Sequence, residues 1–148
     1  GKAIAFALVA LGLEEIRIAD RDLSRASALA DALKAERPGL IIRTGSDTAA
    51  LAAGAGGLVN CTPVGMIGYD GTPLERTAMT GADWVFDAVY TPLETRFLKN
   101  AAQEGLQIIS GYELFIGQGV DAWRIFTGLP VDQQRLREAL DGGEGPAA

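Results

Sequence analysis

Histidine is absent from the 148-residue sequence, and cysteine occurs only once, at position 61. The lack of histidine removes the commonest general base and the commonest metal ligand, so we predict no metal site. A lone cysteine cannot form an internal disulfide, which favours a reducing, cytoplasmic setting. Because no histidine is present to activate it, Cys61 is interpreted as a small packing residue rather than a nucleophile.

Basic residues are in the minority, and long apolar runs are missing. Thirteen lysines and arginines stand against 19 aspartates and glutamates, which gives a net charge of −6. This balance argues against a nucleic-acid or anionic-membrane partner. No uninterrupted apolar stretch approaches the roughly 20 residues of a membrane span. The apolar content of 48% is nevertheless sufficient for one folded domain with a hydrophobic core.

Short strands alternate with helices along the chain. The patterns predict helices over about 2–11, 24–36, 47–51, 92–104, 113–126 and 130–140, and strands over about 16–18, 40–43, 58–60, 84–89 and 107–109. This alternation with short connections is typical of an α/β fold with a doubly wound parallel sheet. We expect one domain over residues 1–140, followed by a loose tail over 141–148 that lacks apolar periodicity.

The first 22 residues have the pattern of part of a dinucleotide-binding βαβ unit. A helix that stops at Gly12 is followed by a strand and then by Asp20. A carboxylate at this strand tip is placed to bind the adenosine ribose of NAD and to repel the extra phosphate of NADP. The glycine fingerprint also needs an earlier strand and two earlier glycines, and Gly1 can only be its last glycine. We therefore expect the first strand to be missing, which leaves a slot in the sheet. The alternative is an ordinary buried helix followed by a turn aspartate.

Residues suited to ligand binding follow three of the later predicted strands. Asn60 and Thr62, with Pro63 to fix the turn, come directly after the strand at 58–60. Ligands of open α/β sheets bind outside the carboxyl ends of the strands. Tyr90 follows the next strand, and a segment over 110–119 with a strand-end glycine and a glutamine follows the last. For each of them a plain structural role, as a turn or surface residue, is the alternative.

Several ordered motifs resemble those of a known enzyme family. They are Gly-Lys-Ala-Ile-Ala-Phe-Ala-Leu at 1–8, Ala-Asp-Arg-Asp-Leu-Ser-Arg-Ala at 19–26, Asn-Cys-Thr-Pro-Val-Gly-Met at 60–66, Asp-Ala-Val-Tyr-Thr-Pro-Leu-Glu-Thr at 87–95 and Gly-Tyr-Glu-Leu-Phe-Ile-Gly-Gln-Gly at 111–119. Together they resemble the carboxyl-terminal cofactor domain of shikimate and quinate/shikimate dehydrogenases. The resemblance extends to about residue 140 and implies a Rossmann-type NAD(P)-binding domain.

The resemblance also implies roles for individual residues. Those expected to bind the cofactor are Gly1, Asp20, Arg21, Arg25, Asn60, Thr62, Pro63, Met66, Ala88 and Gly111, and those expected to bind the substrate are Tyr90 and Gln118. In this family a lysine and an aspartate of an amino-terminal substrate domain assist proton transfer. We expect that domain to be absent from this sequence, so no catalytic residue is predicted here.

The implied reaction is reversible hydride transfer between a nicotinamide cofactor and shikimate, with 3-dehydroshikimate as the oxidised partner. The turn Asp20-Arg21-Asp22 departs from the NADP-type pattern of the family and favours NAD. Arg21 and Arg25 leave NADP open, and the choice between shikimate and quinate is open as well. The alternatives are a catalytically silent NAD-sensing or interaction module of the same fold, and a related folate- or glutamyl-tRNA-type oxidoreductase.

Overall fold

The computed structural model describes residues 1–141, in which helices and strands alternate. The helices are α1 (Lys2–Ala10), α2 (Leu23–Glu36), α3 (Thr48–Ala52), α4 (Arg96–Gln103), α5 (Gly111–Thr127) and α6 (Gln133–Asp141). The strands are β1 (Glu15–Ala19), β2 (Ile41–Gly45), β3 (Gly57–Asn60), β4 (Trp84–Asp87) and β5 (Gln107–Ile109), and a short 3-10 helix spans Arg76–Met79. Among these helices, none combines the length and the hydropathy that a membrane span requires.

The strands form two parallel sheets instead of one continuous sheet. β1 pairs with β2, and β4 lies between β3 and β5 in a second sheet. The register places Ala19 beside Gly45 and Asn60 beside Asp87, so neighbouring strands end at the same level. The parallel α/β class predicted from the sequence is confirmed. The expected slot is present as a groove lined by both β1 and β3.

Each sheet has a hydrophobic core of its own. The core beside β1 and β2 contains Ala5, Val9, Leu33 and Leu40, which α1, α2 and the residue before β2 contribute. The core beside the second sheet is larger, and its buried members are Leu58, Leu74, Met79, Val85, Phe97, Leu98 and Ala101. The described chain therefore buries its apolar side chains in two clusters, and the groove has strands from both sheets in its lining.

Local signals place the first elements where the sequence predicts them. α1 ends just before Gly12, whose φ of +98° is in the left-handed region that glycine adopts readily. α2 begins after Asp22, whose side chain accepts a hydrogen bond from the Ser24 amide. Asp47 caps α3 in the same way, through the amide of Ala50. Such caps use short polar side chains within a few residues, so they can be recognised without tertiary information.

Three helix starts differ from the prediction, and one of them is that of α6, which begins at Gln133 instead of Pro130. α4 was expected to begin at Pro92 or Leu93, but it begins at Arg96 because Thr95 is its N-cap, with extended backbone and a side chain that accepts from the Leu98 amide. α5 begins at Gly111, about two residues before the expected start. The predicted tail also needs one correction, since residue 141 ends α6. The rest of the tail, 142–148, lies outside the described residues.

Candidate functional site

A small pocket lies at the carboxyl ends of β3 and β4. Its volume is about 280 Å³, and it is bounded by two loops that follow these strands. The first loop supplies Cys61, Thr62, Pro63 and Met66, and the second supplies Ala88, Val89, Tyr90 and Thr91. The structure thus brings together five of the residues predicted from the sequence: Thr62, Pro63, Met66, Ala88 and Tyr90.

The groove between the two sheets brings together a second set of predicted residues. It has a volume of about 950 Å³, and its lining includes Gly1, Asp20, Arg25 and Asn60. Thr62 lines both the groove and the pocket, so the two cavities meet at the turn after β3. Together they form a continuous site that passes the ends of β1, β3 and β4. This arrangement suits an elongated ligand with several polar groups.

Asp20 stands at the carboxyl end of β1 in a tight acidic turn. One of its carboxylate oxygens accepts the amide of Asp22 at 2.9 Å. The next carboxylate, Asp22, accepts both the amide and the hydroxyl of Ser24, and the hydroxyl contact is the main reason that its pKa is lowered. The Arg25 guanidinium lies 3.6 Å from the second oxygen of Asp22. The turn therefore presents two carboxylates, with Arg25 held beside one of them.

The amino end of α1 lies against the turn after β3. A Cβ atom built on Gly1 would be 3.5 Å from the Cβ of Cys61, an ordinary van der Waals distance, so the start of the helix lies directly beside the turn. The free amides of a helix start carry a partial positive charge that attracts anions. Burial raises the pKa of the Cys61 thiol. The thiol is therefore mainly protonated at neutral pH, in agreement with its interpretation as a packing residue.

Asn60 points below the pocket instead of into it, and it is only 2% exposed. Its amide nitrogen donates to the Val64 carbonyl at 3.1 Å and to Asp87 at 2.9 Å. Its amide oxygen accepts both the backbone amide and the hydroxyl of Thr62. All these bonds are internal, so the side chain of Asn60 shapes the turn that carries Thr62 and Pro63.

Asp87 and Thr95 are buried beside Asn60. Asp87 has no exposed surface, and Thr95 is 1% exposed. One Asp87 oxygen accepts from Asn60 and from the amide of Val89, and the other accepts the Thr95 hydroxyl at 2.6 Å. Neither residue is assigned a role by the sequence patterns. An aspartate inside the otherwise apolar segment 84–89 was the signal that could have singled out Asp87, because a buried charge needs dedicated partners.

Helix α5 contributes to the site through its first two turns. The Tyr90 ring stacks on Phe115, with centroids 5.1 Å apart. Gly111 is buried at the start of the helix, where a Cβ atom would be 2.4 Å from the Val89 carbonyl oxygen. Gln118 is exposed and lies seven residues further along, close to the same helix face as Gly111. Phe115 was missed, because nothing in the sequence links it to Tyr90.

Three predicted residues are outside the linings of both cavities: Arg21, Gly111 and Gln118. Arg21 is exposed on the turn beside Asp20, and Gly111 packs beneath the loop that carries Ala88 and Val89. Across residues 1–141, no group of three or more histidine, cysteine, aspartate or glutamate side chains could hold a metal ion. The polar groups of the site are therefore carboxylates, the cationic groups of Lys2, Arg17 and Arg25, hydroxyls, amides and backbone groups.

Many curated proteins have similar sequences, although no family model matches. The quinate/shikimate dehydrogenase (NAD(+)) of Corynebacterium efficiens is 42% identical over 141 residues, which is 93% of this chain and 49% of the relative. The shikimate dehydrogenase (NADP(+)) of Pseudarthrobacter chlorophenolicus is 39% identical over 139 residues, which is 93% of this chain and 47% of the relative. The chain thus spans about half the length of these relatives.

Solved structures of shikimate and quinate dehydrogenases have folds similar to that of this chain. The quinate dehydrogenase of Corynebacterium glutamicum in complex with NAD superposes with a TM-score of 0.87 at 39% identity, over 97% of this chain and 51% of the other. The shikimate 5-dehydrogenase of Thermus thermophilus in complex with NADP(H) and shikimate gives a TM-score of 0.79 at 34% identity, over 95% and 50%. By sequence and by fold, the chain is a relative of the shikimate and quinate/shikimate dehydrogenases, of which it spans about half the length.

Proposed function

We propose that this chain is the cofactor-binding part of an NAD-dependent shikimate or quinate/shikimate dehydrogenase. The observation that carries the proposal is the gathering of residues from the ends of β1, β3 and β4 around one groove and one pocket. The similarity to dehydrogenases of this kind over most of the chain supports it. A dinucleotide is an elongated ligand with two sugars, a pyrophosphate and two aromatic rings, which suits a groove that continues into a pocket.

The residues that line the groove and the pocket fit a nicotinamide dinucleotide. Asp20 would accept hydrogen bonds from the adenosine ribose, and the start of α1 at Gly1 would face the pyrophosphate. The wall residues Thr62, Pro63, Met66 and Ala88 would border the nicotinamide end, with Asn60 supporting them from below. Gly111 would act by allowing α5 to begin directly beneath the Ala88–Val89 backbone. When bound, the cofactor supplies the hydride acceptor or donor.

We expect NAD to be preferred to NADP. Asp20 and Asp22 place two carboxylates where a 2′-phosphate would lie, and the Arg25 guanidinium is already 3.6 Å from Asp22. The exposed Arg21 and Arg25 still give NADP some favourable contact, so a minor activity with NADP is expected.

Replacing Asp20 by asparagine tests this preference. The change removes the repulsion of the 2′-phosphate and weakens the ribose contact, a loss of roughly 1.5–3 kcal/mol for a charge-assisted bond. The ratio of kcat/KM for NAD to that for NADP should therefore fall by about tenfold or more. The measurement is steady-state kinetics of the full-length protein with each cofactor varied. Asp31→Asn is the matched control, because Asp31 is an exposed aspartate on α2 that does not line the groove. An unchanged ratio in Asp20→Asn would remove Asp20 from the cofactor site.

We propose that Tyr90 and Gln118 hold hydroxyl groups of the substrate. Gln118→Ala should lower kcat/KM for shikimate by about 1–3 kcal/mol, because a site built to bind a hydroxyl loses binding energy when its partner is removed. The KM for the cofactor should stay nearly constant. Gln133→Ala, at another exposed helical glutamine, serves as the control. Kinetics like those of the wild type for Gln118→Ala would mean that this residue is an ordinary surface glutamine.

We further propose that the substrate domain and the acid–base pair lie outside these 148 residues. The support for this proposal is the length of the relatives, which are about twice as long as the match. Residues 1–140 would then be the dinucleotide-binding domain. A cytoplasmic location agrees with the single cysteine.

The decisive experiment is an assay of the full-length protein with NAD or NADP against shikimate and quinate. Growth of absorbance at the reduced-nicotinamide band is the expected result. Dinucleotide binding without turnover of either acid would favour the silent sensing module. Turnover of a folate or a glutamyl-tRNA substrate alone would favour the related oxidoreductases. Absence of dinucleotide binding would overturn the proposal.

A further inference from the structure

We propose that Asp87 is a positioning residue that sets the separation of the two pocket walls. The first wall is the loop over residues 61–66 and the second is the loop over 88–91. The inference rests on the proposed function, because the separation of the walls matters for catalysis only if the pocket receives the nicotinamide end of a dinucleotide. Asp87 does not line the pocket itself. It would act through the groups that it binds.

A single oxygen of Asp87 is hydrogen-bonded to the second wall directly and to the first wall through Asn60. Its Oδ1 atom accepts the Asn60 amide nitrogen at 2.9 Å and the Val89 backbone amide at 3.0 Å. Asn60 in turn accepts the Thr62 amide at 3.0 Å and the Thr62 hydroxyl at 2.7 Å. The path from one wall to the other therefore contains two side chains, both almost completely buried. A shift at Asp87 would move Thr62 and Val89 relative to each other.

The second oxygen of Asp87 fixes this bridge to helix α4. Its Oδ2 atom accepts the Thr95 hydroxyl at 2.6 Å, and the Thr95 oxygen accepts the Leu98 amide at 3.2 Å. The hydroxyl hydrogen thus points to Asp87 while the oxygen caps the helix. Leu98 belongs to the larger core, so the bridge is anchored to that core. The anchor makes the bridge stiff and gives it a fixed position under the pocket.

The chemistry of the bridge requires a carboxylate. All three partners of Asp87 are donors, and a carboxylate accepts at both oxygens, whereas an amide must present one donor. Asparagine at this position would direct an amide group either toward Thr95 or toward Asn60 and Val89. Within this fully buried cluster, a mismatched donor leaves a polar group without a partner, which is costly. The walls must then shift to restore the hydrogen bonds.

The first part of the test measures the walls directly by hydrogen exchange. We expect Asp87→Asn in the full-length protein to speed amide exchange about tenfold at Val89 and in peptides that cover 61–66, because a buried bond of this kind contributes about 1–1.5 kcal/mol. Thr95→Val removes the anchoring hydroxyl and should also speed amide exchange in both walls. Thr95→Ser keeps the hydroxyl, so its amide exchange rates should equal those of the wild type. Thr80→Val removes a hydroxyl that donates to Thr77 on the surface, so it is the matched control.

The second part separates positioning from stability. Asp87→Asn and Thr95→Val should lower kcat and raise the KM for NAD, with a combined loss of roughly tenfold or more in kcat/KM. Thr95→Ser should restore both values. Faster exchange in the walls with unchanged kinetics would reduce Asp87 to a purely structural role and overturn the proposal. If Asp87→Asn fails to fold, Thr95→Val and Thr95→Ser provide the test, through the same exchange rates and kinetic constants.

Failure of the proposed function gives a different result. A wild-type protein that binds no dinucleotide, measured by titration with NAD and its reduced form, overturns the proposed function and the positioning role together. A wild-type protein that is active, with unchanged wall exchange in Asp87→Asn and Thr95→Val, overturns the positioning role alone.

Discussion

Gly111→Ala should lower kcat/KM about a hundredfold in the full-length protein, the scale of loss that a displacement of about 1 Å at a reacting centre produces. A Cβ atom at this position would be 2.4 Å from the Val89 carbonyl oxygen and 2.8 Å from the Ala88 carbonyl carbon. These are backbone atoms of the second pocket wall, which cannot rotate away as a flexible side chain would. The start of α5 must therefore move from the end of β4, or the wall must move into the pocket.

The stability of this variant should fall as well. Overpacking a close contact costs about 1–3 kcal/mol, and a backbone partner places the change at the upper end of that range. Gly117→Ala in the same helix is the matched control, because a Cβ atom there meets nothing within 4 Å. That control should be stabilised by about 0.5–1 kcal/mol, since alanine is the better helix residue. Urea unfolding and steady-state kinetics measure both variants, and a Gly111→Ala protein with the activity of the wild type would contradict the close approach.

The 148-residue chain expressed alone should bind NAD poorly and show no turnover. β1 and β3 each have a strand partner on one side only within the described residues. Along the groove, the backbone N–H and C=O groups of both strand edges have no partner strand, so their hydrogen bonds are left to water. No strand ladder joins the two sheets within the described residues, so we expect the isolated chain to hold the shape of the groove less firmly than a continuous sheet would.

The measurement is a titration of the isolated chain with NAD and shikimate, followed at the reduced-nicotinamide band, with the full-length protein as the positive control. No growth of absorbance is the expected outcome. Circular dichroism of the same sample reports whether the chain keeps its helices, so a loss of fold is distinguished from a loss of chemistry. Measurable turnover would place the acid–base groups within these 148 residues and would refute the proposed substrate domain.

The relatives differ in the cofactor that their names carry, and the acidic turn bears on this difference. The relative from Corynebacterium efficiens is named for NAD(+), and the one from Pseudarthrobacter chlorophenolicus is named for NADP(+). This chain is about 40% identical to both, so overall identity does not separate the two cofactors. We propose the charges at the end of β1 as a sharper criterion, because a 2′-phosphate bound at this turn would meet them directly.

Most of the secondary structure could be predicted from the sequence alone, because its signals are local. Gly12 ends α1, Asp22 caps α2, and each strand is a short β-prone segment between turn residues. The gathering of Thr62, Met66 and Tyr90 also followed from the sequence, since parallel strands end at the same edge of a sheet. These predictions needed only the order of the elements and the direction of the strands.

The tertiary structure alone decided how the site is supported. Asn60 was expected to offer its side chain to a ligand, and its inward direction depends on Asp87, which is 27 residues away. Gly111 was interpreted as a strand-end residue, whereas its close contact with Val89 depends on how α5 packs against the end of β4. Pairings of this kind are absent from periodicity and capping signals, because those signals describe residues within a few positions of one another. A buried hydrogen-bond partner is determined by packing, so it is visible only once the elements have been assembled.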